Sequence, residues 1–321
     1  MHIPDGFLDA RTAAVAGVAA AAGLGIALQQ VRRHLPSRRV PLLGLAAAFV
    51  FAAQMINFPV MGGTSGHLIG GVLVAALLGP SAAVLVMAAV LIVQCLMFAD
   101  GGISALGANI LNMGLIAGVG GWAIYHGVRR MVKGLFGCVL AVAFAGWCGT
   151  VLAATACAGE LAAAHTVPFT VSLPTMAGVH MLIGIGEGLI TALVLVTIGR
   201  ARPELLEAEA ATGAQGSYGA VVIYGLLVAL AVALCGSPFA SSWPDGLDQT
   251  AAALGFKDQA IQPLLAAPVA DYAMPGIHWS VLATSAAGAV GTVVVFALSW
   301  LLARLLVPKR AAGSVPDSPL T

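Results

Sequence analysis

The sequence predicts an all-α polytopic membrane protein, on three grounds: its composition, the recurrence of apolar stretches of spanning length, and the placement of its basic residues. Of 321 residues, 60% are hydrophobic and 8% charged, whereas soluble domains carry about 25% charged residues. Apolar stretches recur at 12–31, 41–57, 67–79, 80–98, 103–125, 134–157, 177–199, 217–235 and 279–305. A helix needs roughly 20 such residues to cross the hydrocarbon core. The third stretch is short and reads as a tilted or partly re-entrant segment. With the amino terminus outside, the inner loops collect Arg32, Arg33, Arg38, Arg39, Arg129, Arg130, Lys133, Arg200, Arg202, Arg304, Lys309 and Arg310. Only Arg11 and Lys257 then fall outside, so twelve of fourteen basic residues share one face, as the positive-inside bias requires. A multi-pass protein of the cell's inner (plasma) membrane is expected. Asp5 and Asp9 stand where a signal peptide needs a basic segment.

Two unequal parts follow along the chain. Residues 1–202 hold seven spans. A cytoplasmic linker, 203–216, carries Glu204, Glu207 and Glu209 before an Ala-Thr-Gly-Ala-Gln-Gly-Ser run. Residues 217–308 form a two-span unit whose outer loop, 236–278, is long enough to cover the outer mouth of the first part. A disordered tail is expected over 309–321.

Several function classes are excluded or weakened. The net charge of +1 and the absence of a basic cluster beyond what orientation needs leave nucleic-acid binding without support. None of Lys133, Lys257 and Lys309 follows a Gly-x-x-x-x-Gly run, so there is no phosphate cradle for ATP. Cys95, Cys138, Cys148, Cys157 and Cys235 lack ligand spacing and read as small buried apolar residues.

The start Met1-His2-Ile3-Pro4-Asp5-Gly6 carries the chemistry. The bulky His2 disfavours removal of Met1. The α-amine of Met1, the backbone nitrogen of His2 and Nδ1 of its imidazole can close two adjacent chelate rings around one cation. That supplies three corners of a square-planar nitrogen site, the geometry of Ni(II) or Cu(II). His67, in Gly62-Gly63-Thr64-Ser65-Gly66-His67, is the best candidate for the fourth corner, and the glycines let its loop turn tightly.

These motifs resemble a known family. The start Met-His-Ile-Pro-Asp-Gly, the segment Gly63-Thr64-Ser65-Gly66-His67, the run Asp100-Gly101-Gly102 with Leu106-Gly107, Asn109 and Asn112-Met113, and His180 through Glu187-Gly188 look like the substrate-capture component of nickel/cobalt energy-coupling factor transporters. Trp243-Pro244-Asp245-Gly246-Leu247-Asp248 with Gly255-Phe256 resembles the small two-span accessory subunit of those systems, here fused, with Asp248 where that family carries Glu. The resemblance implies a non-enzymatic subunit that takes a nickel or cobalt ion as transported substrate through Met1, His2 and His67. It further implies an integral-membrane coupling subunit and two cytosolic ATPase subunits as partners. The first span places Ala13, Gly17, Ala21 and Gly25 at intervals of four, a small-residue stripe on which a helix can pack closely. The resemblance assigns that stripe to the coupling subunit.

Around the ligands, Asn57, Thr64, Ser65, Asp100, Asn109 and Asn112 are candidates to orient the metal-bound groups, with helix capping as the plainer role for Ser65, Asp100 and Asn109. Gln54 and Gln94 read as bridges between helices. His180 and Glu187 share one face of the seventh span, and Glu187 is either a buttress or a proton relay. Two other classes are weighed: a self-sufficient metal/proton exchanger using Glu187, and an intramembrane serine protease using Ser65 with His180.

Overall fold

A computed structural model describes residues 1–202 and 218–307. The linker 203–216 and the tail 309–321 expected from the sequence lie outside the described residues. The described residues are mostly helical. Helix α1 spans Ala10–His34, α2 Val40–Gln54, α3 Gly71–Leu78 and α4 Pro80–Phe98. The next span, α5, runs over Leu106–Met131 and contains a wide-turned π stretch at Ile110–Gly120. Then come α6 (Gly134–Ala163), α7 (Phe169–Ala201), α8 (Gly219–Phe239), the short α9 (Gly246–Leu254) and α10 (Ser280–Leu306).

Seven of these helices are long and apolar enough to cross a membrane. The two remaining expected spans are shorter: α2 has 15 residues and α3 has 8. The third apolar stretch owes its shortness to its ends. Gly70 begins α3 at φ 80° and Gly79 ends it at φ 91°, values that favour glycine, while Pro80 opens α4. Other helices outrun their apolar stretches. Helix α7 starts eight residues before position 177 because Pro174 sits within its early turns, where the lost bond is one to Thr170 near a helix end.

Close glycine contacts set the packing. A Cβ at Gly188 would stand 2.4 Å from the Ala143 carbonyl, so α6 and α7 touch backbone to backbone. The last helix joins the two parts of the chain: Gly291 of α10 receives the ring of Phe51 from α2, and Gly44 of α2 lies against Phe296 and Trp300. Val15, Val18, Ile26, Leu189, Leu193, Ile223 and Leu305 face outward, as helices solvated by lipid do. The cysteines are all unpaired; Cys157 is buried, but Cys235 is exposed on the outer side of α8, so not all five fill the core.

Between α2 and α3 the chain forms a hairpin, strands β1 (Phe58–Val60) and β2 (Thr64–Gly66), pairing Phe58 with Gly66. Gly62 and Gly63 turn it at φ 78° and 74°. This hairpin, residues 1–9 and the loop before α10 gather at one end of the bundle.

Candidate metal-capture site

The first nine residues are held in place. Ile3 is fully buried, and Asn109 grips its peptide unit from both sides: Ile3 N–H donates to Oδ1 at 2.8 Å, and Nδ2 donates to the Ile3 carbonyl at 3.1 Å. The Gly102 N–H also donates to that carbonyl, at 2.8 Å. Asp5 accepts from the amide and hydroxyl of Ser104 at 2.8 and 2.6 Å. Burial opposes the Asp5 carboxylate, but these Ser104 bonds hold its pKa below the ordinary value. Asp9 caps α1 through the Thr12 N–H. The terminus is therefore a positioned element and not a frayed end.

This clamp delivers Met1 to His67. The terminal amine lies 2.5 Å from Nε2 of His67, both residues being less than a tenth exposed. Nδ1 of His67 donates to the Leu68 carbonyl at 3.0 Å, which leaves Nε2 with its lone pair toward the amine. The rings of His2 and His67 stack with centroids 5.2 Å apart. Among the described residues no three His, Cys, Asp or Glu side chains converge as a metal cage, so a cation held here has to draw on the amine and backbone nitrogen.

Two contacts place His67. A Cβ at Gly66 would strike Ile183 of α7 at 2.5 Å, so only glycine lets the hairpin sit this deep. Beyond the histidine, the Glu187 carboxylate accepts from the Ile69 N–H at 2.5 Å and the Gly70 N–H at 3.0 Å. It fixes the chain two and three residues after the imidazole and stands at the start of α3, where a negative charge suits the helix dipole.

The cap over this site comes from the second part of the chain. Asp245 is the N-cap of α9, its Oδ1 accepting from the Asp248 N–H at 2.8 Å, and its Oδ2 pairs with the terminal amine at 2.8 Å. Burial would raise its pKa; the neighbouring ammonium and the Asp248 N–H hold it well below the carboxylate range. Gly246 lies against the His180 ring, where a Cβ would come within 2.6 Å of Cε1. The Ser65 hydroxyl donates to the Trp243 carbonyl at 2.7 Å and its N–H to the Pro244 carbonyl at 2.8 Å. Tyr272 donates to Asp100 at 2.6 Å, and Asp100 lies 3.2 Å from Nδ1 of His2. Burial lowers the pKa of His2 against the pull of Asp100.

The expected residues thus divide. Met1, His2, His67 and Asp100 meet at one point, Asn109 holds the Ile3 peptide next to them, and His180 borders the same small cavity as Met1 and His67, its Nδ1 donating to the Met176 carbonyl. Ser65, Asp100 and Asn109 do not cap helices; each bonds the hook or its cap. Thr64 is buried within β2, and Asn57 gives its carbonyl to the Ser241 N–H at 2.8 Å. Asn112 points elsewhere, donating to Glu160 at 2.6 Å, because the π stretch turns it toward α6. Among the described residues no bond joins Ser65 to His180, so the protease arrangement is not formed. Along the stripe on α1, Gly17 meets Gly107 of α5 backbone to backbone, while Ala21 and Gly25 are exposed. The contact that sequence reasoning did not place is Asp245 on the amine; its signal was the Asp-x-x-Asp cap pattern within Trp243–Asp248.

Comparison with known proteins decides the family. Residues 2–205 match the family described as the cobalt uptake substrate-specific transmembrane region. The chain belongs to that family. Residues 219–308 match the PDGLE domain, so this family member carries the accessory unit in the same chain. It is 40% identical to a putative fused nickel transport protein of Archaeoglobus fulgidus over 95% of this chain and 98% of the relative. Over 78% of this chain and 76% of the relative it is 31% identical to a cobalt transport protein of Geobacter sulfurreducens. A crystal structure of a truncated transition metal transporter matches with TM-score 0.58 and 36% identity, covering 63% of this chain and 99% of that one. This is a multi-pass membrane component of nickel and cobalt transport.

Proposed function

We propose that the chain captures Ni(II), with Co(II) second, as the substrate-binding subunit of an ATP-driven uptake system. The cation is bound by the Met1 amine, the backbone nitrogen and Nδ1 of His2, and Nε2 of His67. The observation that carries this reading is the buried amine 2.5 Å from a histidine nitrogen whose other ring nitrogen is already engaged. A terminus held by Asn109, Ser104 and Gly102 supplies the rigidity a planar four-nitrogen site needs. Copper binds such donors more tightly than nickel, so selectivity rests on that rigidity and on metal availability.

With the amino terminus outside, the hook faces arriving cations, and loop 236–278 lies over it as a cap. In the metal-free state Asp245 neutralises the terminal ammonium. Loading removes that proton, and the amine leaves Asp245 for the cation. The cap acts in loading or retaining the metal. Turnover needs an integral-membrane coupling subunit, docked where Ala21 and Gly25 remain exposed on α1, and two cytosolic ATPases. The relatives' names, nickel transport for the fused ones and cobalt transport for others, support the substrate class. Reconstituted uptake tests the reading: nickel should accumulate only when the coupling subunit, the ATPases and ATP are all present. Uptake by this chain alone, driven by a pH gradient, contradicts it.

A further inference from the structure

Gln54 and Gln94 are buried polar side chains beside the hook, 4% and 0% exposed, and their bonds have a fixed direction. Nε2 of Gln54, the last residue of α2, donates to the Ile69 carbonyl at 2.8 Å. A backbone carbonyl only accepts, so this contact settles which end of the amide is NH2. Oε1 of Gln54 then accepts from Nε2 of Gln94 at 2.8 Å. That leaves Oε1 of Gln94 facing Nε2 of His2 at 3.2 Å. An amide oxygen also only accepts, so Nε2 carries a proton, and Nδ1, which faces Asp100, is the nitrogen left for a cation.

His67 is fixed in the opposite sense by the adjacent carbonyl: its Nδ1–H donates to Leu68 and its Nε2 is left open. The carbonyls of Leu68 and Ile69 therefore select the ligating nitrogen of both imidazoles, one directly and one through two glutamines. Glu187 holds the N–H groups of Ile69 and Gly70 in the same segment. Against the relay stands Asp100, 3.2 Å from Nδ1 of His2, which favours a proton on that nitrogen. Its other oxygen accepts from Tyr272, so its charge is shared.

We propose that Gln94 and Gln54 are positioning residues for metal capture: a polarity relay from the Ile69 carbonyl that keeps the proton on Nε2 of His2 and makes Nδ1 the nitrogen presented to the metal. The inference rests on the chelate reading above, in which only Nδ1 can close a ring with the His2 backbone nitrogen. The cation binds at Nδ1, displacing any proton that Asp100 draws there, because the proton on Nε2 has a buried acceptor oriented for it.

The test combines a metal-free and a metal-bound measurement on the full chain. With nitrogen-15 labelled histidine, and His2→Ala to identify the signal, Nε2 of His2 should be protonated in the metal-free parent at neutral pH. Gln54→Met, which does not touch His2, frees the Gln94 amide to flip and should let an unprotonated Nε2 appear. Gln54→Glu should restore the parent state, since a neutral carboxyl donates to Ile69 and accepts from Gln94. Nickel affinity should follow the same order, with Gln94→Met weaker by about tenfold or more, the scale of lost supporting bonds at metal-bound histidines. Gln54→Met should also bind more weakly, and Gln54→Glu as the parent does. A bare Nε2 in the parent overturns the relay, as does Gln54→Met matching the parent or Gln54→Glu behaving like Gln54→Met. The ring protonation needs no metal, so its failure is distinct from failure of the chelate, which shows as nickel affinity insensitive to an alanine inserted between Met1 and His2.

Discussion

Residues 1–9 and the loop 236–278 are both irregular, lie at the same end of the bundle, and touch each other, yet they are held differently. The first is gripped at Ile3 and Asp5 by Asn109, Gly102 and Ser104 of the first part, and its apolar side chains Ile3 and Phe7 are buried. The loop is held by the first segment and by the bundle together: Asp245 pairs with the amine, the Ile261 N–H donates to the Asp5 carbonyl and the Val269 N–H to the Met97 carbonyl, Phe256 packs on Phe7, and Leu247, Ala251 and Val269 are buried, while Ile261, Leu264 and Leu265 stay exposed. The comparison separates the two by what they bring to the site: the first segment holds the terminal amine and His2, and the loop lays the Asp245 carboxylate on that amine.

The largest expected effect breaks the rigid side. Inserting one alanine between Met1 and His2 separates the amine and imidazole by an extra peptide, so the two adjacent chelate rings cannot close. Tight nickel binding should vanish in equilibrium dialysis while thermal unfolding in detergent stays close to the parent. Next, His67→Ala removes one of four donors and should weaken nickel at least tenfold, since losing even supporting bonds costs about 10–100-fold; a parent-like affinity there, with loss in His180→Ala, would move the fourth corner to His180.

A smaller effect is expected at Glu187. Glu187→Leu strands two buried N–H groups, each costing about 1–3 kcal/mol, so unfolding should come at lower temperature and nickel should bind more weakly than in the parent but better than in His67→Ala. Unchanged stability would remove the buttress. The smallest effect on affinity belongs to the cap: the chain ending at Glu209 should bind nickel at equilibrium nearly as the parent does, exchange it faster, and support less uptake in cells holding the coupling subunits. Loss of binding itself would make Asp245 a ligand. Across all variants that keep the hook, affinity should rise with pH, because the amine and the His2 amide both lose protons to the cation.

How much of this was legible in the sequence follows from how local each signal is. The apolar runs and the Met1-His2 start are local, and both could be read directly. The hairpin's turn was foreshadowed by Gly62 and Gly63, but its depth depends on Gly66 meeting Ile183, a contact between distant residues. Pro174 hid the start of α7, because a proline is tolerated near a helix start but reads as a break. Asn112 was misplaced because a π stretch rotates the residues beyond Asn109 relative to an α-helix. Asp245 on the amine and the Gln54–Gln94 pair join positions far apart in the chain, and no local pattern encodes such pairings.

The central claim, a planar nitrogen chelate built on the amino terminus, is tested most directly by the metal content and visible spectrum of the purified full chain with an authentic Met1, set beside the alanine-insertion variant. The account predicts one nickel per chain and a ligand-field band typical of diamagnetic square-planar Ni(II) in the parent, with neither in the variant. The same band and stoichiometry in both, or a paramagnetic six-coordinate nickel in the parent, would contradict it.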